Sequence, residues 1–146
     1  MCSFLFLFHN FGTASEVKFE KKRIKIGTAT LTVEIADTPE RLNRGLMDRQ
    51  KMGEDEGMLF IFSEEDIRHF WMKNTYIPLS IGFFSKDKKL VDVQDMDAVR
   101  SAVEIPKNYS SKKPAKYALE VNQGWFSRHK IRPKYAFEFV EHTQSK

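Results

Sequence analysis

A polar cluster in the middle of the chain carries residue types that could bind a ligand or take part in catalysis. Lys73, Asn74 and Thr75 follow aromatic residues and a methionine within residues 70–79, with no turn signal between the apolar and the polar part. Such a lysine could pair with a carboxylate, such an asparagine could donate to an oxyanion, and Glu120 could act as a general base beside them. Alternatively, Asn74 and Thr75 satisfy backbone groups at the end of a strand. We therefore expect the core and a pocket to meet in this segment.

Two tryptophans and an arginine complete the predicted pocket. Trp71 and Trp125 could each wall a small-molecule or sugar site, because large aromatic side chains with a few polar groups are typical of such sites, although they suit a core equally well. Arg44 could hold an anionic ligand in bidentate fashion or form a salt bridge with Glu120. The expected pocket is lined by Arg44, Trp71, Lys73, Asn74, Glu120 and Trp125.

The sequence gives little support for nucleophilic catalysis. It contains no Gly-x-Ser-x-Gly elbow, no His-Glu-x-x-His motif and no phosphate-binding glycine loop. The single cysteine, Cys2, lies in a segment that we expect to be removed. His69 and His129 could each serve as a general base, but neither is accompanied by a nucleophile at an obvious spacing. We expect a non-catalytic binding or accessory module, and a hydrolase-like enzyme that uses Glu120 or a histidine is the alternative.

Three methionines raise the further alternative of a soft-metal carrier. Met47, Met58 and Met72 each lie inside a motif, and thioethers together with a histidine such as His69 select Cu(I). Methionine also fills irregular gaps in cores and packs against aromatic rings. His69 and Met72 are three residues apart, so on a strand they point to opposite faces, which argues against a shared site. We predict no resident metal and no other cofactor.

The first fifteen residues differ from the rest of the chain. All 24 basic and all 20 acidic residues follow this segment, which contains an apolar block at residues 4–8 and small residues at 13–15. This order resembles the apolar core and cleavage region of a secretory signal, without its basic leading region. We expect residues 1–15 to be a truncated signal peptide or an apolar N-terminal segment, and residues 16–146 to form one globular domain. Removal of Cys2 would leave no thiol, which suits an oxidising compartment. We expect an exported, periplasmic protein, with a cytoplasmic one as the alternative.

The net charge of +4 is concentrated in one segment. Residues 100–116 contain five basic residues and one acidic residue, so the remainder of the chain is balanced. This distribution does not indicate a diffuse nucleic-acid-binding face. No stretch approaches the roughly 20 apolar residues needed to cross a bilayer. We therefore expect no nucleic acid partner and no stable membrane span; the partner is an unidentified small ligand or protein, and the oligomeric state is not determined by these patterns.

Short strands dominate the predicted elements. Residues 28–36 alternate apolar and polar side chains, the period of a half-buried strand. A helix is predicted from Pro39, with Thr38 as its cap, to about Leu46 or Met47. The other predicted strands are 22–26, 58–62, 67–72, 79–84, 89–94, 116–121 and 135–140, with a helical turn at 124–130. This pattern favours a mainly β (α+β) domain, a compact single-domain β barrel or sandwich of about eight short strands with one or two short helices.

Four motifs occur in a fixed order along the chain, within residues 44–47, 57–62, 70–79 and 119–125. Together they resemble the domain of unknown function family 192, a small and often exported prokaryotic family, over about residues 28–140. The resemblance implies one compact, β-rich domain. It does not imply a reaction, because none is agreed for the family. The family pattern commonly has an aspartate directly after Ile-Pro-Leu, where this chain has Ser80. A mechanism based on a carboxylate at that position is therefore not open to this chain.

Overall fold

The computed structural model describes residues 16–141. The predicted signal segment, residues 1–15, lies outside the described residues. The described chain contains nine strands and two short helices. In order they are β1 (Glu20–Ile26), β2 (Ala29–Ala36), α1 (Pro39–Arg44), β3 (Glu56–Asp66), β4 (His69–Trp71), β5 (Leu79–Phe84), β6 (Leu90–Met96), β7 (Asn108–Ser110), β8 (Ala115–Asn122), α2 (Trp125–Arg128) and β9 (Phe137–Phe139).

Seven of the strands form one curled sheet. Their order is β6-β5-β8-β3-β2-β1-β9, while β4 and β7 form a separate two-stranded sheet. All neighbours are antiparallel except β2 and β3, which are parallel and are connected through α1. A bridge between Lys89 and Ala136 brings the two ends of the sheet together. The prediction of a mainly β, α+β domain is therefore confirmed, although it did not include a parallel pair.

The central strands are buried on both faces, so the sheet separates two apolar clusters. All six residues of β5 are buried, and alternate side chains project to opposite sides. Phe84 accordingly belongs to one cluster and Phe83 to the other. The Trp125 cluster includes Ile24, Val33, Leu119, Trp125, Phe126 and Phe137. The Met72 cluster includes Leu46, Met58, Phe60, Met72, Ile81 and Phe83.

Helix α1 is shorter than the sequence predicted. The Thr38 side chain accepts the N–H of Arg41 at its start, and Pro39 occupies the first turn as expected. The helix ends at Arg44 because Gly45 adopts a φ of +47°. This glycine turns the chain so that Leu46 enters the Met72 cluster. The helix itself has no buried residue, so it depends on this anchor that follows it.

Two other predictions of elements are wrong. The strand predicted at 58–62 is longer, because β3 continues through residues 63–66 to Asp66, which pairs with Ala115 after an irregularity in the register. The predicted strand at 67–72 is shorter and lies outside the main sheet, where it pairs with β7. Backbone pairing maintains both segments although their side chains are largely exposed, so neither leaves a hydrophobic pattern in the sequence.

Gly82 on β5 provides a test of the packing on the Trp125 side. A Cβ at this position would lie 2.9 Å from Cε1 of Phe126, closer still to Cζ, and 3.1 Å from Leu90. We expect Gly82→Ala to lower the free energy of unfolding by about 1–3 kcal/mol through overpacking. Gly53→Ala is the matched control, because the new Cβ would meet only the flexible, exposed side chain of Glu56. Urea denaturation of the two variants checks the prediction, which fails if they lose equal stability.

Candidate functional site

The end of β4 divides its side chains between the surface and the core. Met72 is buried in the Met72 cluster, whereas Trp71 is 51% exposed. Met72 therefore points into the core and Trp71 to the surface. The ammonium group of Lys73 lies 5.0 Å from the centre of the Trp71 ring, a cation–π contact at the surface. Lys73 thus contacts an aromatic ring and not the carboxylate that the sequence suggested.

Asn74 and Thr75 form a turn that joins this surface to the segment after α1. Asn74 adopts a φ of +51°, which asparagine tolerates better than most residues. Its carbonyl accepts the N–H of Asp48 at 2.7 Å. The Thr75 hydroxyl donates to the carbonyl of Lys73 at 3.1 Å, which is the backbone role that the alternative explanation gave it. The turn places Asn74 close to the end of α1.

Arg44 lies at that end and pairs with a different acid from the one expected. Its guanidinium donates to Asp48 at 2.9 Å, and both side chains are about half exposed. Since the N–H of Asp48 is bound by Asn74, the fold places Arg44 and Asn74 on the same side of the molecule. The suggested salt bridge between Arg44 and Glu120 is not formed, because Glu120 is buried within the sheet while Arg44 stays at the surface.

A groove of about 950 Å³ lies between residues 16–19 and the segment after α1. Arg41 holds residues 16–19 in place by donating to the carbonyl of Lys18 at 2.9 Å. Nη1 and Nη2 of Arg49 both donate to the carboxylate of Glu34, and this pair is partly buried. The groove is lined by Phe19, Glu34, Arg44, Met47, Asp48 and Arg49, together with residues 16–18 and Gly45. Sequence reasoning identified only Arg44, because the groove depends on a chain crossing that local patterns do not encode.

Glu120 lies beneath this side of the molecule, and its pKa is strongly shifted. It lies on β8 opposite Met58 and Ile81, both members of the Met72 cluster, and is 5% exposed. Burial disfavours the charged form and raises the pKa of Glu120 to about 8. The carboxyl group is therefore protonated at neutral pH, where it is a proton donor and not the general base that the sequence suggested.

Trp125 lies on the opposite face of the sheet from Arg44. It is fully buried in the Trp125 cluster, while Leu46, which follows Arg44, packs in the Met72 cluster. The indole N–H points to Asp55 at 3.4 Å, and the ring of His129 packs 4.3 Å from the Trp125 rings. Trp125 and Arg44 therefore cannot line one pocket, and this part of the predicted site is corrected.

Both histidines have contacts of their own. Nδ1 of His69 lies 2.7 Å from the Ser110 hydroxyl on the exposed β4–β7 pair, a nucleophile-like neighbour that sequence spacing did not reveal. Within residues 16–141, no carboxylate forms an ion pair with His69, so nothing orients its ring as a triad would require. His129 lies 2.9 Å from the carbonyl of Trp125 and 3.7 Å from Asp55. It closes the end of α2.

The methionines of the copper alternative are dispersed between the core and the groove. Met58 and Met72 are both fully buried in the Met72 cluster with Phe60, and Met47 lines the groove. Such packing is the gap-filling role of methionine. Among residues 16–141, no group of three or more His, Cys, Asp or Glu side chains is arranged to hold a metal ion.

Ser80 has a structural role at the position where the family pattern has an aspartate. Its hydroxyl donates to Asp95 at 2.5 Å and accepts the N–H of Gly124 at 2.8 Å. The buried side chain thereby connects β5, β6 and the turn before α2. A second carboxylate here would face Asp95 directly, and like charges at that separation disfavour ionisation. The departure from the family pattern therefore fits its surroundings.

Comparisons with known proteins agree with this fold. The model of the family DUF192, described as "Uncharacterized ACR", matches residues 22–139. A Sinorhizobium meliloti 1021 protein, described as a candidate transcription regulator, has a similar structure, with a TM-score of 0.75 and 35% identity over 86% of this chain and 98% of its own. A protein of unknown function from Novosphingobium aromaticivorans DSM 12444 gives a TM-score of 0.68 and 31% identity over 86% and 89%. A search of curated proteins finds no match. No helix within the described residues is long and apolar enough to cross a membrane.

The buried carboxyl of Glu120 predicts an unusual dependence of stability on pH. The folded protein keeps this proton until the pKa of about 8, whereas an unfolded glutamate releases it near its ordinary 4.5. As pH rises through this window the folded state alone holds the proton, so stability falls by up to roughly 1.4 kcal/mol per pH unit. Glu120→Gln keeps the shape without the titrating group, so we expect its unfolding free energy to decline less from pH 5 to 8.

Urea denaturation at several pH values measures this difference. Glu138→Gln, at an exposed position on β9, is the control and should follow the wild-type curve. Parallel curves for wild type and Glu120→Gln would contradict the assignment.

Proposed function

Because the chain belongs to domain of unknown function family 192, for which no activity is agreed, we propose from its own geometry that it is a non-catalytic binding module whose ligand occupies the groove beside α1. The observation that carries the proposal is the pair of arginines in the groove, Arg44 and Arg49, each held by one carboxylate. The volume of about 950 Å³ is within the range of small-molecule sites.

The two ion pairs differ in how readily a ligand could replace them. The pair between Arg44 and Asp48 is exposed, and such pairs contribute about 0–1 kcal/mol to stability. An incoming carboxylate or phosphate can therefore take over the guanidinium of Arg44 at little cost and leave Asp48 free for a cationic group. The pair between Arg49 and Glu34 is more deeply buried, so it forms a fixed part of the wall of the groove. This arrangement favours a small ligand that carries both charges, such as a short peptide.

Two other functions receive less support from the site. Helix-turn-helix regulators place a helix in the major groove. Within the described residues α1 has six residues and α2 four, so the Sinorhizobium protein's description as a candidate transcription regulator does not lead us to propose DNA binding. A hydrolase that uses Glu120 as its base would need the charged form, which burial disfavours at neutral pH.

A ligand screen with one matched pair of variants tests the proposal. Di- to tetrapeptides with mixed charges should raise the melting temperature of the full chain, because a ligand that binds only the folded state stabilises it. We expect Arg44→Ala to weaken binding about tenfold or more, since hydrogen bonds to charged groups contribute about 1.5–3 kcal/mol. Calorimetric titration of the best peptide measures the change in affinity.

Arg128→Ala is the control, because Arg128 is a half-exposed arginine at the end of α2 that pairs with Glu54 at 2.8 Å and lies outside the groove. It should bind the peptide as the wild type does. The proposal is wrong if no charged peptide stabilises the chain, or if Arg44→Ala and Arg128→Ala bind the peptide with equal affinity.

We also propose that the module acts after export. The support comes from the uncharged, apolar first fifteen residues and from the absence of any cysteine beyond Cys2. N-terminal sequencing of protein from a fractionated bacterial host tests this proposal. We expect a periplasmic form that lacks the apolar segment, whereas an intact Met1 on purely cytosolic protein would exclude export.

A further inference from the structure

Two basic segments of the chain meet at β6, the strand at one end of the main sheet. Residues 111–117 contain three lysines, residues 124–137 contain four lysines and arginines, and neither segment contains an acid. Both segments line a hollow of about 680 Å³ along β6, which we call the β6 hollow. Its charged lining residues are Asp92, Lys112, Lys130 and Arg132. None of its lining residues also lines the groove beside α1.

The segment after α2 holds Lys130 and Arg132 on either side of a buried anchor. The N–H of Ile131 donates to the carbonyl of Phe126 at 2.9 Å, one of the bonds that commonly end a helix. Ile131 and Phe126 both pack in the Trp125 cluster, whereas Lys130 and Arg132 are exposed. The core therefore fixes where these two bases stand, and their side chains remain available to a ligand.

Lys130 occupies a backbone position that usually belongs to glycine. Its φ is +56°, and its N–H donates to the carbonyl of Ser127 at 3.0 Å, which completes the end of α2. A glycine would adopt this conformation without the steric cost that a side chain brings. A positive charge is thus placed at a position where backbone stability alone favours glycine.

Lys112 is positioned on the other side of the β6 hollow by Asp92. The buried carboxylate of Asp92 accepts the N–H of Lys112 at 3.2 Å and the side-chain amide of Gln94 at 2.7 Å. The ammonium group of Lys112 lies 3.9 Å from this carboxylate, and its side chain is 78% exposed, so the ion pair is weak. Within residues 16–141, Lys130 and Arg132 form no ion pair. Three cations therefore line the hollow against one acid that is already hydrogen-bonded.

The β6 hollow also has an apolar part and a limited length. Its apolar lining includes Val91, Val93 and Pro133. At one end, Leu90 exchanges backbone hydrogen bonds with residues 134–135, and at the other the side chain of Gln94 donates to the carbonyl of Ser110 at 2.7 Å. At the rise of a strand, the part of β6 between these contacts is roughly 13 Å long. This length favours a small ligand over a polymer that runs along the strand.

We propose that the β6 hollow binds a small organic phosphate, with the phosphate group on Lys130 and Arg132 and the nonpolar part of the ligand against Val91 and Val93. The planar guanidinium group matches two oxygens of a phosphate, and the lysine ammonium groups balance the second charge of the anion. A carboxylate has a single charge and would leave the other cations unmatched. The site shares no residue with the groove beside α1, so this proposal is independent of the peptide ligand.

Calorimetric titration of the full chain with phenyl phosphate tests the proposal. We expect it to bind about tenfold or more tightly than inorganic phosphate, which lacks the nonpolar part, and than benzoate, which lacks the second charge. The double variant Lys130→Gly and Arg132→Gln should bind phenyl phosphate at least about tenfold more weakly, because two charged donors are lost. It should melt no lower than the wild type, because glycine suits the positive φ at position 130.

The double variant Arg23→Gln and Lys25→Gln is the matched control, because it removes the same two kinds of charge from exposed positions on β1, outside the β6 hollow. It should bind phenyl phosphate as the wild type does. The proposal is overturned if the wild type does not bind phenyl phosphate, if both double variants lose affinity equally, or if benzoate or inorganic phosphate binds as tightly. Binding of a single-stranded oligonucleotide without any binding of phenyl phosphate would also overturn it.

Discussion

The burial of β5 and β8 on both faces is the constraint on which the rest of this structure depends. A strand of this kind needs an apolar cover on each side, and a single curled sheet supplies neither by itself. On one side the curl of the sheet, together with α2, encloses the Trp125 cluster. On the other side Leu46, Met72 and Val99, three residues from three different connections, complete the Met72 cluster. The connections are thus structural parts of the domain.

The residues that cover the sheet on the Met72 side explain where the groove, the exposed residues of the β6–β7 connection and the Trp71–Lys73 pair lie. Leu46 is drawn into the core immediately after α1, so the chain that continues from it passes over the sheet and forms one wall of the groove. Val99, in the connection between β6 and β7, is drawn into the core, and the exposed side chains of Val103 and Ile105 follow it in the same connection. Met72 is likewise buried in the core, and it fixes the position of its neighbours Trp71 and Lys73 at the surface. Each exposed feature is the continuation of a residue that the core requires.

Much of this could be predicted from the sequence because local chemistry determines it. The alternation in β2, the apolar run of β5 and the cap and proline of α1 each act within a few residues, so β2 and β5 were predicted nearly to their ends and α1 was predicted at its start. Local patterns do not reveal which face of a curled sheet a later residue will reach, so Trp125 was assigned to the wrong side.

The groove and the two-stranded sheet of β4 and β7 depend on contacts between distant parts of the chain. Arg49 meets Glu34 fifteen residues away, and Arg41 holds residues 16–19 across twenty-three positions. β4 and β7 are short and largely exposed, so they are defined by pairing alone. An amphipathic pattern indicates which residues are buried, but not which other segment they contact. These features could therefore be recognised only in the three-dimensional structure.

The mixed composition of residues 70–79 follows from the three connections that meet there. Met72 must be apolar because it closes the second cluster, while Asn74 must accept a left-handed backbone to reach the N–H of Asp48. Thr75 then receives the N–H of Val99 on its carbonyl and binds the turn with its own hydroxyl. Residues 72–75 contact the core, the segment after α1 and the connection between β6 and β7 in succession. They therefore cannot keep the two-residue period of a strand. The irregularity of residues 70–79 therefore reflects a junction, to which the segment after α1 and the connection between β6 and β7 are each bound by a backbone hydrogen bond.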